Sequence, residues 1–137
     1  MNAYIDMKNR HQLEVDGFPL AFAFNKKQFA EGMRKLGLSP NDTDKVYRLN
    51  NTGGYYRRED AESLNEMIFR HAEELQEAID GDTTGEGFIF QMFNYELANY
   101  EYDESAALQA LGITDEELSG SEPLRHGLAL AIKAQGN

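Results

Sequence analysis

A carboxylate on the apolar side of a helix is the residue of this chain best placed to do chemistry. On a helical wheel of residues 88–101, Glu96 falls among Ile89, Met92, Phe93 and Tyr100. A carboxylate in such a place must be protonated, paired or liganded, because burial penalises its charged form. Two histidines share that character: His71 sits on the apolar stripe of the preceding helix and His11 on that of the first. A contact between His71 and Glu96 on neighbouring antiparallel helices is therefore expected. It can be read as a general base or a two-histidine, one-carboxylate metal site. It can equally be read as a satisfied polar pair that fixes helix register. Neither HExxH spacing nor a second carboxylate strengthens the metal reading.

The segment Asp80-Gly81-Asp82-Thr83-Thr84-Gly85 carries acids at the first and third positions of a calcium loop, Thr at the fifth and Gly at the sixth. The twelfth position, where such a loop needs a bidentate Glu, is Gln91, so the expectation is a helix stop at Gly81 and a Thr84 cap without calcium. The absence of cysteine excludes thiolate metal sites, disulfides and a thiol nucleophile. No Ser–His–Asp grouping has supporting spacing.

Charge is distributed unevenly. Residues 25–58 hold eight Lys or Arg against three acids, whereas residues 59–137 hold eighteen acids against Arg70, Arg125 and Lys133, within a net charge of −11. The basic stretch interleaves Arg48, Arg57 and Arg58 with Tyr47, Tyr55 and Tyr56 on a hairpin, a mixture found in nucleic-acid binders. The overall charge would repel phosphate, so nucleic acid is not the expected partner. In the acidic stretch Glu62, Glu66, Glu73 and Glu77 lie opposite the apolar stripe of one helix, and Glu66 has i,i+4 spacing to Arg70. That row is either a solvated face or a carboxylate array that docks a basic partner by steering.

The elements that must position these residues follow from periodicity and capping. Residues 2–15 place Tyr4, Met7, His11 and Val15 on one helical stripe. Residues 18–24 read as a short strand, confined by Pro19 to a strand start or an edge. Asn25 caps a helix with Phe29, Met33 and Leu36 inward and Gly37 as its stop. Residues 45–49 and 55–57 form a hairpin around Asn50-Asn51-Thr52-Gly53-Gly54. A long helix over 59–79 buries Ala61, Leu64, Met67, Ile68, His71, Ala72, Leu75 and Ile79, and another spans 86–101. Asp103, Thr114 with Glu117, and Ser121 cap three further helices.

Several segments together carry a resemblance: Tyr55-Tyr56-Arg57-Arg58-Glu59-Asp60-Ala61, Thr84-Gly85-Glu86-Gly87-Phe88-Ile89, Met92-Phe93-Asn94-Tyr95-Glu96-Leu97, and the ending around Leu124-Arg125-His126-Gly127-Leu128. The chain resembles, over nearly its whole length, a family of small acidic uncharacterised proteins from Firmicutes genomes, prophages and mobile elements. The resemblance implies a bacterial cytosol and the company of small acidic inhibitors, and it transfers no catalytic residue.

The expected fold is α+β, a mainly helical single domain with a two- to three-stranded antiparallel sheet, in which residues 1–58 form a basic sheet-containing lobe and 59–137 an acidic helical lobe. The expected function is non-enzymatic: a cytoplasmic binding or inhibitor protein acting on a macromolecular, basic protein partner, with no cofactor and no metal. The alternative is a small metal-dependent enzyme using His11, His71 and Glu96. A second copy of the chain, meeting head to tail, is the other partner the charge split admits. The longest apolar run, Phe18 to Phe24, is too short to cross a bilayer, so no membrane is expected.

Overall fold

Four helices begin where a short polar side chain accepts an orphan backbone N–H, and those starts order much of the chain. The structure, a computed structural model, describes residues 2–50 and 52–136. Its elements run α1 (Ala3–Asp16), β1 (Leu20–Phe22), α2 (Lys26–Lys35), β2 (Val46–Arg48), β3 (Gly54–Arg57), α3 (Ala61–Asp80), α4 (Phe88–Asn99), α5 (Glu104–Leu111), α6 (Asp115–Ser119) and α7 (Glu122–Gln135). The fold is α+β, mainly helical with one three-stranded antiparallel sheet of order β1-β3-β2. No helix among the described residues is long and apolar enough to cross a membrane.

The chain divides into two compact units, His11–Ala72 and Met1–Arg10 with Glu73–Asn137. In the first, here the sheet unit, β3 is the central strand, with Leu20 opposite Tyr56, Ala21 opposite Tyr55 and Arg48 opposite Tyr55. Opposite residues share a face, so Ala21 and Tyr55 point together toward α2. There they pack with Met33 and Leu36, and the Tyr55 hydroxyl donates to the Phe29 carbonyl at 3.1 Å. Asn25 caps α2 by accepting from Gln28 N–H, and Gly37, at φ +78°, ends it. In the loop between β2 and β3 the Thr52 hydroxyl donates to the Leu49 carbonyl and accepts from Gly54 N–H, while Asn51 lies outside the described residues.

In the second, the helical unit, α4 is the central element. Ile89, Met92, Phe93 and Leu97 are almost fully enclosed and pack with Leu124, Leu128 and Ala131 of α7 and Ala107 of α5. The approach of α7 to the start of α4 depends on two glycines. A Cβ on Gly127 would stand 2.5 Å from an Ile89 methyl, and one on Gly85, at φ +85°, 2.1 Å from the Pro123 carbonyl oxygen. Asp103, Ser121 and the reciprocal Thr114–Glu117 box cap α5, α7 and α6 as expected.

Two expectations about α3 and α4 are corrected. Ile68 and Ala72 of α3 are exposed, because the buried seam in the sheet unit is the narrow row Leu64–Met67–His71 and both residues fall outside it. The cap of α4 is Asp82 rather than Thr84. Its carboxylate accepts from the N–H groups of Gly85 at 3.1 Å, Gly87 at 3.1 Å and Ile89 at 2.9 Å, and the Thr84 hydroxyl donates to the same carboxylate.

Candidate functional site

Glu96 is buried, 3% exposed, and bonded, as its wheel position requires. Its partners are not the expected ones. The Tyr4 hydroxyl donates to Oε2 at 2.8 Å, and Lys8 Nζ reaches Oε2 at 3.1 Å and Oε1 at 3.3 Å. Tyr4 and Lys8 are one helical turn apart on α1, so one face of that helix brings a phenol and an ammonium to the same carboxylate. Lys8 also stands 5.1 Å from the centroid of the Tyr95 ring and 5.7 Å from that of Tyr4. Burial, and then the Glu96 carboxylate at its hydroxyl, push the Tyr4 phenol far above its ordinary pKa. The cluster is a protonated phenol and an ammonium neutralising one buried carboxylate, an internal strut between α1 and α4.

His71, the partner expected for Glu96, instead meets Glu14 in the sheet unit. Its Nε2 lies 2.9 Å from Glu14 Oε1, while Arg70 Nη1 donates to the same carboxylate at 2.9 Å and Arg70 Nη2 closes a bidentate pair. The hydrogen bonds from Arg70 and then His71 hold the Glu14 carboxyl down to about 2. A carboxylate only accepts, so His71 Nε2–H is the donor in this contact. The His11 ring stacks on His71, centroids 3.9 Å apart and planes inclined by 10°. Imidazole lone pairs lie in the ring plane, so two parallel stacked rings cannot aim nitrogens at one ion in ordinary geometry. Nowhere among the described residues do three His, Asp or Glu side chains form a group able to hold a metal. The grouping His11, His71 and Glu96 is not assembled as ligands. Spacing along one helix could not have found Glu14, whose partners sit 56 and 57 residues further along the chain. Arg70 takes Glu14 as its carboxylate, and the i,i+4 pairing with Glu66 is not formed.

The basic hairpin is split between the faces of its sheet. Tyr47 and Tyr56 are opposite one another with ring centroids 5.9 Å apart, and the Arg58 guanidinium lies 4.5 Å over Tyr47. Tyr55 is buried on the other face, and Arg57 is half-buried and tied to Asp60 at 2.8 Å and Glu59 at 3.2 Å. Alternation along β3 therefore divides the aromatic and basic residues of the hairpin between two faces. Arg48 is exposed and has no ion-pair partner among the described residues.

Glu62, Glu66, Glu73 and Glu77 are all exposed on α3, and none has an ion-pair partner among the described residues. Spacing places Phe69, 64% exposed, in the same row, three residues beyond Glu66 and four before Glu73. Phe69 falls outside the apolar stripe of α3, so hydrophobic periodicity does not single it out.

The chain belongs to the family of unknown function DUF7659, which it matches over residues 3–134. No curated protein and no solved structure matches it. The DUF7659 match spans the Glu96 strut, the Glu14–His71 group and the acidic row alike.

Proposed function

We propose that this DUF7659 protein is a non-enzymatic binding protein of phage or mobile-element type, an inhibitor that docks a basic protein partner in a bacterial cytoplasm. One observation carries this reading: the unpartnered row Glu62, Glu66, Glu73 and Glu77 on α3, interrupted by exposed Phe69. The row covers about 22 Å at the rise of an α-helix. Acids around a single aromatic anchor suit a partner that offers an apolar pocket rimmed by Lys and Arg. The internal charges support the same reading, because Glu96 and Glu14 are consumed by partners within the chain. The resemblance to proteins of prophages and mobile elements supports the biological setting.

The test is capture of a partner from a host lysate by the wild type, by the variant with all four glutamates changed to Lys, and by Phe69→Ala. Wild-type capture should weaken steeply between 0.1 and 1 M salt, because the screening length falls from about 10 to about 3 Å. The charge-reversed variant should lose the partner and Phe69→Ala should hold it less tightly. A charge-reversed variant that keeps its partner with unchanged salt dependence overturns the proposal.

A further inference from the structure

Between the sheet and α2, the sheet unit holds a cleft of about 620 Å3, lined by Ala23, Phe29, Val46, Arg48, Asn50 and Tyr55 among others. We propose that this cleft is a binding site for an anionic small molecule with a planar apolar body, held by Arg48. The sheet register places the guanidinium. Arg48 is opposite Tyr55, and Tyr55 faces α2, so the Arg48 side chain leaves the sheet on the side of the cleft. Arg48 alone carries charge among the lining residues, and it has no ion-pair partner among the described residues. The neighbouring cations are engaged elsewhere: Arg57 is bonded to Asp60, Arg58 to the Val46 carbonyl, and Lys45 is paired with Asp42. An unpaired guanidinium beside an apolar wall matches a carboxylate or sulfonate, which it can grip through two parallel hydrogen bonds.

The walls select the rest of the ligand. Phe29 and Tyr55, with ring centroids 5.1 Å apart, form an aromatic wall, and Phe24 lies over Gly53 at the rim. A Cβ at Gly53 would stand 2.6 Å from the Phe24 ring, so the glycine, at φ +75°, is what lets that ring lie across the hairpin. The volume falls within the range of small-molecule sites, and aromatic walls with a few convergent polar groups are their usual chemistry. Thr43 and Asn50 add hydrogen-bonding groups without adding charge.

Two fluorescent probes test this on the full chain: the anionic 1-anilinonaphthalene-8-sulfonate and the neutral N-phenyl-1-naphthylamine. The sulfonate should bind at one site, shifting backbone amide resonances of Ala23, Phe29, Val46 and Tyr55. Arg48→Met should weaken the sulfonate about tenfold, the size of one lost charge-assisted contact, and leave the neutral probe within about twofold. Arg48 is exposed, so the variant should keep the wild-type circular dichroism and melting temperature. Three results each overturn the proposal: no sulfonate binding at millimolar concentration, shifts confined to residues outside the cleft, or equal weakening of both probes by Arg48→Met.

Discussion

The sheet unit and the helical unit treat charge in opposite ways. His11–Ala72 contains nine acids and nine Lys or Arg, a balanced set, whereas Met1–Arg10 with Glu73–Asn137 contains fifteen acids against four Lys or Arg. The whole net charge of −11 therefore resides in the helical unit. The sheet unit spends its charges on local bonds: Glu14 with Arg70, Asp60 and Glu59 with Arg57, Asp42 with Lys45. The helical unit leaves most of its acids in water and reserves Lys8 for Glu96, the one buried charged side chain among the described residues. Local composition along a chain is thus a poor guide to the field of a folded unit. The +5 stretch of residues 25–58 is neutralised by acids that α1, the turn before α3 and α3 itself bring to the same unit.

The largest effects lie in the two cores. Phe93→Ala in the helical unit should cost about 3–5 kcal/mol, and Met33→Ala in the sheet unit about 2–5 kcal/mol, since both side chains are fully enclosed. Urea unfolding measures both, and a cost below about 1 kcal/mol at either site would mean its core is not packed as described. Next comes the strut. Glu96→Ala strands the hydroxyl of buried Tyr4 and should cost about 1–3 kcal/mol. Lys8 contributes less to that loss, because its side chain is 42% exposed and can be hydrated. Glu96→Gln keeps an acceptor for Tyr4 and should cost less than Glu96→Ala. Equal costs would show that the carboxylate charge, and not the phenol, governs the site.

Most of the fold could be read from sequence, because it rests on local signals. Asn25, Asp103, Thr114 and Ser121 cap the helices assigned to them, since a cap needs only a polar side chain within three residues of the N–H it satisfies. The hairpin is marked by period-two alternation over residues 45–49 and the glycines that follow, and the first strand by a short apolar run that Pro19 confines. The burial of Glu96 was also legible, because wheel position is a local property. Its partners were not. Tyr4 and Lys8 lie 92 and 88 residues away, and which helix covers α4 is decided by packing that one sequence does not display. Asp82 was misread for a related reason: the loop folds back, so a side chain seven residues upstream of Ile89 does what a neighbouring Thr84 was expected to do.

The two units should also differ in their response to pH. In the sheet unit the Glu14 carboxyl is held at about 2, against 4.5 for an ordinary Glu, by Arg70 and His71. Its folded pKa is depressed, so its contribution is present above pH 4.5 and is lost as pH falls toward 2. Glu14→Gln should flatten that acid limb. In the helical unit Tyr4 works at the other end of the scale. Its pKa is raised from 10 by burial and by Glu96, so its contribution is present below pH 10 and declines as pH rises above it. Tyr4→Phe should flatten the alkaline limb and leave the acid limb in place. Urea midpoints across pH 2–11 measure both, and exchange of the two effects between the variants would undo the assignment.

The smallest expected effect is that of calcium on the loop before α4. Asp82 has the sequence position of a calcium ligand, but its carboxylate already accepts three backbone N–H groups and the Thr84 hydroxyl. Burial opposes ionisation there, yet those bonds outweigh it and hold the Asp82 pKa below the ordinary value. A cation at this carboxylate would have to displace the donors that start α4, and Gln91 cannot offer the bidentate carboxylate that would compensate. Millimolar calcium should therefore leave the melting midpoint unchanged within about 1 °C, since a ligand that does not bind the folded state adds no linkage term. Asp82→Ala, in contrast, should lower stability by about 0.5–2 kcal/mol, the cost of a lost helix cap. A rise of several degrees with calcium in the wild type, abolished in Asp82→Ala, would show that the loop trades its cap for a metal and that the acids of the helical unit do more than solvate it.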